Sequence, residues 1–475
     1  MLQNCMATKD STRSVVQWRP WLVESSQLKW RGIVDALDAD IRSGQLRPGM
    51  RLPPQRAIAE ALGVDLTTVT RAFNEAHRRG LIDAHAGRGT FVRQGAGKEH
   101  HVELTAMPAV DLSLNIPAQP AAARLQRRIP ETMAELLASE SGRLHLHYQE
   151  SSGSVPDRAA AALWLARRIE GVQPSSVVLA SGAQSALFAV CDCIVAPGET
   201  VASGSVTYPG LKAIAQHRGF RLEPLAMDDD GIVPESFEDR CRVAVPKAIY
   251  VIPAIDNPTT ATMPESRRRK IAAIARQYGV AVIEDDPYSP LLADAPAPFA
   301  QLAPDITWHI ATLSKCVTPA LRIAYVIAPG DAPSRLAGVL RSINLMAPPL
   351  NAALVSHWIT SGVIEDIRDA IRAEAAARQK IAQANLGRFS FSADPCGHHL
   401  WLKLPTYWRA GDLAEHAARA GIAVVPGSAF AVSESVEEAV RISLGAASDR
   451  GSLAQALNVL GVILSQPAFA TRAIV

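Results

Sequence analysis

Trp308-His309-Ile310-Ala311-Thr312-Leu313-Ser314-Lys315, with Arg322 seven residues beyond the lysine, decides how most of this chain is read. The apolar run Trp308 to Ala311 leads into the lysine, and a second run, Ile323 to Ile327, follows it. That order places Lys315 just past the end of a buried strand, on a loop that returns into the sheet. A lysine amine beside hydroxyls and ahead of a fixed arginine suits a Schiff base to a phosphorylated aldehyde cofactor.

Further apolar runs lie upstream: Ser176 to Ala180, Ala248 to Ile252 and Val280 to Ile283. Continuous apolar strands alternating with helical stretches predict a mostly parallel α/β sheet covered on both faces. Ligands of such sheets bind beyond the carboxyl ends of the strands, so the polar residues that end the runs form one constellation. Gly182, Ala183 and Gln184 open a helix whose free amides suit a phosphate. Asn257 follows the second run, and Glu284-Asp285-Asp286-Pro287-Tyr288 follows the third. A buried Asp285 would keep a pyridine nitrogen protonated and the ring an electron sink. Asn257 and Tyr288 are placed to hydrogen-bond a ring oxygen, and Tyr208 to stack on the ring. Thr312, Ser314 and Arg322 would complete the phosphate cup. Taken singly, Lys315 is a solvated lysine, Asp285 a surface carboxylate or cap, and Tyr208-Pro209-Gly210 or Asn257-Pro258 a turn. Their joint order carries the reading.

After about residue 350 the pattern changes. A long helix, roughly Asn351 to Gln383, precedes strand-like runs at His399–Leu404, Ile422–Val425 and Ala439–Leu444, which predicts a smaller α+β part.

The first hundred residues differ again. Gln27 to Ser43 reads as a helix, with Ile33, Ala36, Leu37 and Ile41 on one face. Pro54 to Leu62 and Asp65 to Arg79 read as two more, separated by Gly63-Val64. Asp65 is the expected N-cap of the third, with Thr68 three positions on. Ile82 to Val92 reads as a hairpin around Gly87-Arg88-Gly89. Helix, turn, helix and glycine-tipped hairpin is a winged helix-turn-helix order, whose second helix enters the major groove amino end first. Thr67, Thr68 and Arg71 occupy that end, Arg56 on the preceding helix faces a phosphate, and Gly87 and Arg88 form the wing tip.

The chain has 475 residues, 48% hydrophobic and 20% charged, which predicts two or three soluble domains. The formal net charge of +2 is too small for a polyanion binder as a whole. Residues 1–95 are basic on their own, with fourteen Lys/Arg against nine Asp/Glu. The six cysteines show no metal-ligand spacing, and no metal is expected. They read as reduced thiols of a cytoplasmic protein. The amino end has no uninterrupted apolar run of the secretory kind, and no membrane span is expected. The domain reading is an irregular segment at 1–26, the winged helix at 27–93, a polar linker at 94–111, the α/β domain at 112–465 with its small part from about 350, and a tail at 466–475.

Leu52-Pro53-Pro54-Gln55-Arg56, Leu62-Gly63-Val64, Thr68-Val69-Thr70-Arg71-Ala72-Phe73 and Gly87-Arg88-Gly89-Thr90-Phe91-Val92 resemble the GntR-type winged helix. Asp65-Leu66 departs from it, since a hydroxyl and a basic residue are usual there. The constellation around Lys315 resembles the fold-type I aminotransferases. That resemblance implies pyridoxal 5'-phosphate, with Lys315 as the Schiff-base lysine and Asp285 as the pyridine partner. It implies Tyr148 as the tyrosine that reaches the phosphate of a partner subunit, and Arg441 as the clamp on a substrate carboxylate. Thr260 and Ala324 stand where those enzymes usually carry glycine.

The two together resemble the MocR-type regulators. The resemblance implies a regulator that binds operator DNA as a head-to-tail homodimer and senses the cofactor or an amino compound. Two other readings are an aminotransferase with a secondary DNA-binding domain, and a regulator that uses its aminotransferase-like part only to dimerise. Weak transamination is compatible with the first.

Overall fold

The structure is a computed structural model that describes residues 18, 29–42, 45–47, 49–78, 81–85, 89–93, 109–139, 146–433 and 437–466. The chain forms two compact units, Met1–Thr105 and Ala106–Val475.

In the first unit, helices Lys29–Arg42, Gln55–Leu62 and Leu66–Arg78 precede an antiparallel hairpin, Ile82–His85 with Gly89–Val92. Ile33, Leu37 and Ile41 recur every four residues and are buried with Ile58, Val69, Phe73 and Ile82. Each such side chain contributes about 1.5–3 kcal/mol by leaving water. Gly63 ends the second helix at φ 61°, and its N–H reaches the carbonyls of Ala59 and Glu60. A left-handed glycine there lets the chain reverse within a few residues. Asp65 caps the third helix, but its partner is Thr67: Oδ1 accepts from Thr67 N at 2.7 Å and from its hydroxyl at 2.6 Å. Thr70 donates to Gln55 at 2.9 Å, tying the two helices.

Trp18, in the segment expected to be irregular, lies outside any regular element but is not loose. It is buried in this core, and its indole N–H donates to Asp40 at 2.8 Å. A lone aromatic ahead of the first helix has no periodicity to announce its burial.

The second unit is built on a seven-stranded sheet in the order Val177–Ala180, Ala324–Ile327, Thr307–Thr312, Ala281–Asp286, Ala248–Val251, Thr200–Gly204, Arg221–Leu225. Only Ala324–Ile327 runs antiparallel to its neighbours. Separate apolar clusters pack against the sheet, one including Leu187, Ile214 and Ile310, another including Phe237, Ile271 and Val282. Two strands escape a search for apolar runs. Thr200–Gly204 is rich in small residues, and Arg221–Leu225 mixes in polar residues and a proline, which an edge strand tolerates.

The smaller part is an antiparallel sheet in the order Phe391–Ala393, His399–Lys403, Ala439–Ser443, Val425–Pro426, with helices Val363–Leu386, Ala410–Arg419 and Arg450–Leu464. The expected single helix from Asn351 to Gln383 is two, Pro349–Thr360 and Val363–Leu386. Gly362 at φ 79° breaks them, a conformation only glycine adopts without cost. The expected linker also ends early. Val110–Asp111 already pairs in parallel with Ile422–Ala423, so the chain enters this unit as a strand. No described helix is long and apolar enough to cross a membrane.

Candidate functional site

The carboxyl ends of five parallel strands, with the amino end of the antiparallel Ala324–Ile327, deliver one cavity of ≈ 160 Å³. Its walls include Gly182, Ala183, Gln184, Tyr208, Asn257, Asp285, Tyr288, Thr312, Ser314, Lys315 and Arg322. Strand periodicity sorts the acidic run that ends Ala281–Asp286. Glu284 turns away and accepts from His309 at 2.8 Å and from the amides of Phe299 and Ala300. Asp286 takes Arg168 at 2.7 Å and the hydroxyl of Ser289. Asp285 alone of the three lines the cavity, where Oδ2 accepts from Tyr250 at 2.8 Å. Its other oxygen is buried with no partner among the described residues. Burial pushes its carboxyl up to about 6 against the pull of the Tyr250 hydrogen bond. A buried carboxylate with an open oxygen suits a cationic ring nitrogen.

Lys315 lines the cavity and donates to the backbone carbonyl of Asn115. Burial, then the charge of Arg441, lowers its ammonium to about 8, which leaves a usable fraction of free amine near neutrality.

The helix Ala183–Ile194 starts at this cavity, with Gly182 as its N-cap at φ 89°. A Cβ on Gly182 would stand 2.8 Å from Arg322 Cζ, so glycine is what lets the guanidinium lie against the helix start. Arg322 donates to Ser181 O at 3.2 Å. Gln184 donates to Gly210 O at 3.2 Å, and its Oε1 is buried without a partner among the described residues. Ser314 N donates to the Thr312 hydroxyl at 3.3 Å. Exposed amides at a helix start, two hydroxyls and a guanidinium form a cradle for a phosphate. The residues present therefore fit a phosphorylated pyridine aldehyde.

Arg441 and Asn257 are turned to each other: Nη1 donates to Asn257 Oδ1 at 2.9 Å, and Nη2 to Ser113 O at 2.6 Å. The guanidinium lies over the Phe430 ring at 4.9 Å. Tyr288 accepts from Asn115 Nδ2 at 2.7 Å. Tyr148 stands apart from the cavity of its own chain, 82% exposed. Thr260, buried, holds φ 66°, a left-handed backbone that glycine occupies freely and a β-branched residue does not. Ala324 is buried in the antiparallel strand opposite Ala180.

On the winged helix, Arg56 and Arg71 are exposed, with Arg71 set 4.7 Å over the Trp30 ring. Thr67 is exposed as well, but its hydroxyl hydrogen is taken by Asp65. A phosphate oxygen needs a donor, so the Thr67 hydroxyl offers less to DNA than the sequence suggests. Gly87 and Arg88 lie outside the described residues.

Comparison with known proteins agrees with this division. The profile of bacterial regulatory proteins of the gntR family matches residues 30–92, and that of aminotransferase class I and II matches residues 108–460. The chain belongs to the MocR-type regulators. It is 30% identical over 453 residues to a Bacillus subtilis protein described as "Uncharacterized HTH-type transcriptional regulator YdeF", covering 94% of this chain and 97% of that one. The HTH-type transcriptional regulator TauR of Rhodobacter capsulatus is 26% identical, over 82% of this chain and 87% of its own. The 2-aminoadipate transaminase of Thermus thermophilus is 27% identical, over 75% and 87%. Among solved structures, α-aminoadipate aminotransferase LysN of Thermus thermophilus, complexed with N-(5'-phosphopyridoxyl)-L-leucine, superposes with a TM-score of 0.71 at 24% identity. That match covers 79% of this chain and 96% of LysN and speaks for the fold.

Several residues of this MocR-type site carry no local signal. Asn115 lies 200 positions from Lys315, and only the fold joins them. His398 Nε2 is 2.7 Å from Lys315 O, and His399 Nε2 is 3.1 Å from Asp256 O. Burial lowers these imidazoles to about 4 and about 3, so both are neutral packing donors and acceptors. Tyr250 was within reach of sequence reasoning. It sits mid-strand beside Ala281–Asp286, and period two puts it on the face of Asp285.

Proposed function

We propose that this chain is a transcriptional regulator that binds pyridoxal 5'-phosphate and reads DNA through its winged helix. The observation that carries the reading is the single cavity in which Lys315, the half-paired Asp285 and the Gly182–Arg322 cradle converge, on a chain whose other unit is a GntR-type helix-turn-helix. When bound, the cofactor supplies a Schiff-base carbonyl and a pyridinium electron sink. Lys315 is its covalent anchor and Asp285 the partner of its ring nitrogen. Tyr208 walls the ring, with Asn257 and Tyr288 beside its oxygen. Gly182, Ala183, Gln184, Thr312, Ser314 and Arg322 hold the phosphate. Arg441 reads the carboxylate of an amino compound, whose arrival is the sensed event. The exposed Tyr148 suits a contribution to the cavity of a second copy, in a head-to-tail homodimer. Arg56, Thr67, Thr68 and Arg71, with Gly87 and Arg88 of the wing, are the DNA contacts.

The test joins both halves. Borohydride treatment of the full chain with pyridoxal 5'-phosphate fixes the cofactor on Lys315, read by peptide mass. Protection of an upstream operator changes with cofactor and amino compound. A protein that takes up no cofactor, or whose operator protection ignores it, overturns the reading. Weak amino-group transfer is the second reading, favoured by the lowered ammonium of Lys315. Steady multiple turnover of an amino acid with a keto acid is its measure.

A further inference from the structure

Between two buried anchors, Leu112 and Ala118, the chain runs against Lys315 and Arg441 as Ser113-Leu114-Asn115. Leu114 is 53% exposed, so apolar burial does not hold this strap. Polar contacts hold it instead. Arg441 Nη2 donates to Ser113 O at 2.6 Å, and Lys315 Nζ donates to Asn115 O. The Asn115 amide adds a bond to Tyr288 at 2.7 Å and lies 3.3 Å from His399 Nδ1. The Ser113 N–H and hydroxyl turn back on Asp111, at 2.8 and 2.6 Å.

The two cations that grip the strap are the two groups a ligand would claim. We propose that Ser113–Asn115 is an occupancy reader, closed by Lys315 and Arg441 and released only when cofactor and carboxylate have taken both. This deepens the cofactor reading above and rests on it. An amine that condenses with an aldehyde forms a C–N double bond and loses two hydrogens with the aldehyde oxygen, as water. Lys315 so engaged keeps at most one proton and turns toward the cavity, leaving Asn115 O. A carboxylate that takes the Arg441 fork bidentately displaces Ser113 O and Asn257 Oδ1. Either ligand alone opens one grip. A regulator built this way responds to a carboxylate ligand while the aldehyde is held on Lys315, and to neither cofactor nor acid by itself; an amine that displaces Lys315 from the aldehyde returns that grip to Asn115 O. The strap is also the first stretch after Val110–Asp111, the strand through which the chain from the DNA-binding unit enters. Its two-state hold is therefore the earliest point at which occupancy can bias that chain.

Hydrogen–deuterium exchange of the peptide spanning residues 112–116, measured in the full chain, tests this. In cofactor-free protein, Lys315→Ala and Arg441→Ala each speed exchange there, and the double variant speeds it by about tenfold or more. Lys315→Arg, which keeps a donor but cannot hold the aldehyde, leaves the strap slow. Wild-type protein with borohydride-fixed cofactor matches Lys315→Ala. A double variant whose central sheet stays protected and whose strap exchanges like wild type overturns the proposal. So does Lys315→Arg as fast as Lys315→Ala, or a strap unmoved when mass shows the cofactor in place. If no cofactor is fixed at all, the cofactor reading fails, and the cofactor-free variants still decide the strap. Should the double variant not fold, the two single variants and Lys315→Arg carry the same decision.

Discussion

Arginine serves both units of this chain under opposite conditions. On the winged helix, Arg56 and Arg71 stand in water. In the second unit, Arg441 is 7% exposed, and burial holds its guanidinium below the usual range. Arg378 is 4% exposed, tied to Glu374 and to the carbonyls of Leu444 and Ala447. The contrast suits what each unit is proposed to read. A polyanion is felt through solvent, over about a Debye length, and salt screens it. A small ligand is read by donors fixed in advance in a dry site, where an unmet charge is costly. Arg56 and Arg71 are left exposed, whereas Arg441 and Arg378 are buried and engaged.

Breaking that contrast should cost most where the charge is buried. Lys315→Ala is expected to abolish borohydride-fixed cofactor altogether, measured as loss of the added mass on the intact protein. Any fixed mass at another lysine would displace Lys315 from its role. Asp285→Ala follows, because it leaves a bound pyridinium without its buried partner. Losing one member of such a pair costs about 2–5 kcal/mol, so cofactor affinity should fall by about a hundredfold in a direct titration.

A pH titration sharpens the same point. The folded pKa values of Asp285 and Asp256 are raised by burial to about 6, above the ordinary carboxylate range. Their contribution to the stability of the cofactor-free protein is thus full at low pH and is lost as pH rises through about 6. Cofactor binding runs the other way. It needs Asp285 ionised and Lys315 as free amine, so affinity should climb as pH rises through about 6 and again toward about 8. A flat profile between these values would detach both groups from the cofactor.

The smallest effect belongs to the exposed end. Arg56→Ala should weaken DNA binding evenly across sequences and reduce the salt slope by about 1, as loss of one phosphate contact does. A slope unchanged by the substitution would remove Arg56 from the interface.

Much of this division is legible in the chain itself, for physical reasons. The strands that carry Asp285 and lead to Lys315 are buried on both faces and read as apolar runs, so the residues that end or follow them stand out. The winged-helix reading rests on glycine and proline turns and on helical spacing, all local signals. What local signals cannot show is a residue that matters through a distant partner. Asn115 meets Lys315 and Tyr288 only after the sheet is assembled, and its neighbours spell an ordinary loop. Thr67 shows the converse. Its position in the reading helix is legible, but its hydrogen bond to Asp65 appears only when the backbone turn is in place.

Trp18 has a consequence for handling the protein. Its indole belongs to the same apolar cluster as Ile33, Leu37 and Phe73, although it stands eleven positions ahead of the start of the first helix at Lys29. Emptying a large aromatic site costs about 3–5 kcal/mol, and a small domain has about 5–15 kcal/mol in all. A DNA-binding fragment cut at residue 27, where the helical pattern starts, would carry a hole in its centre. One cut upstream of Trp18 would keep its plug. Thermal melts of the two fragments, side by side, should separate them clearly.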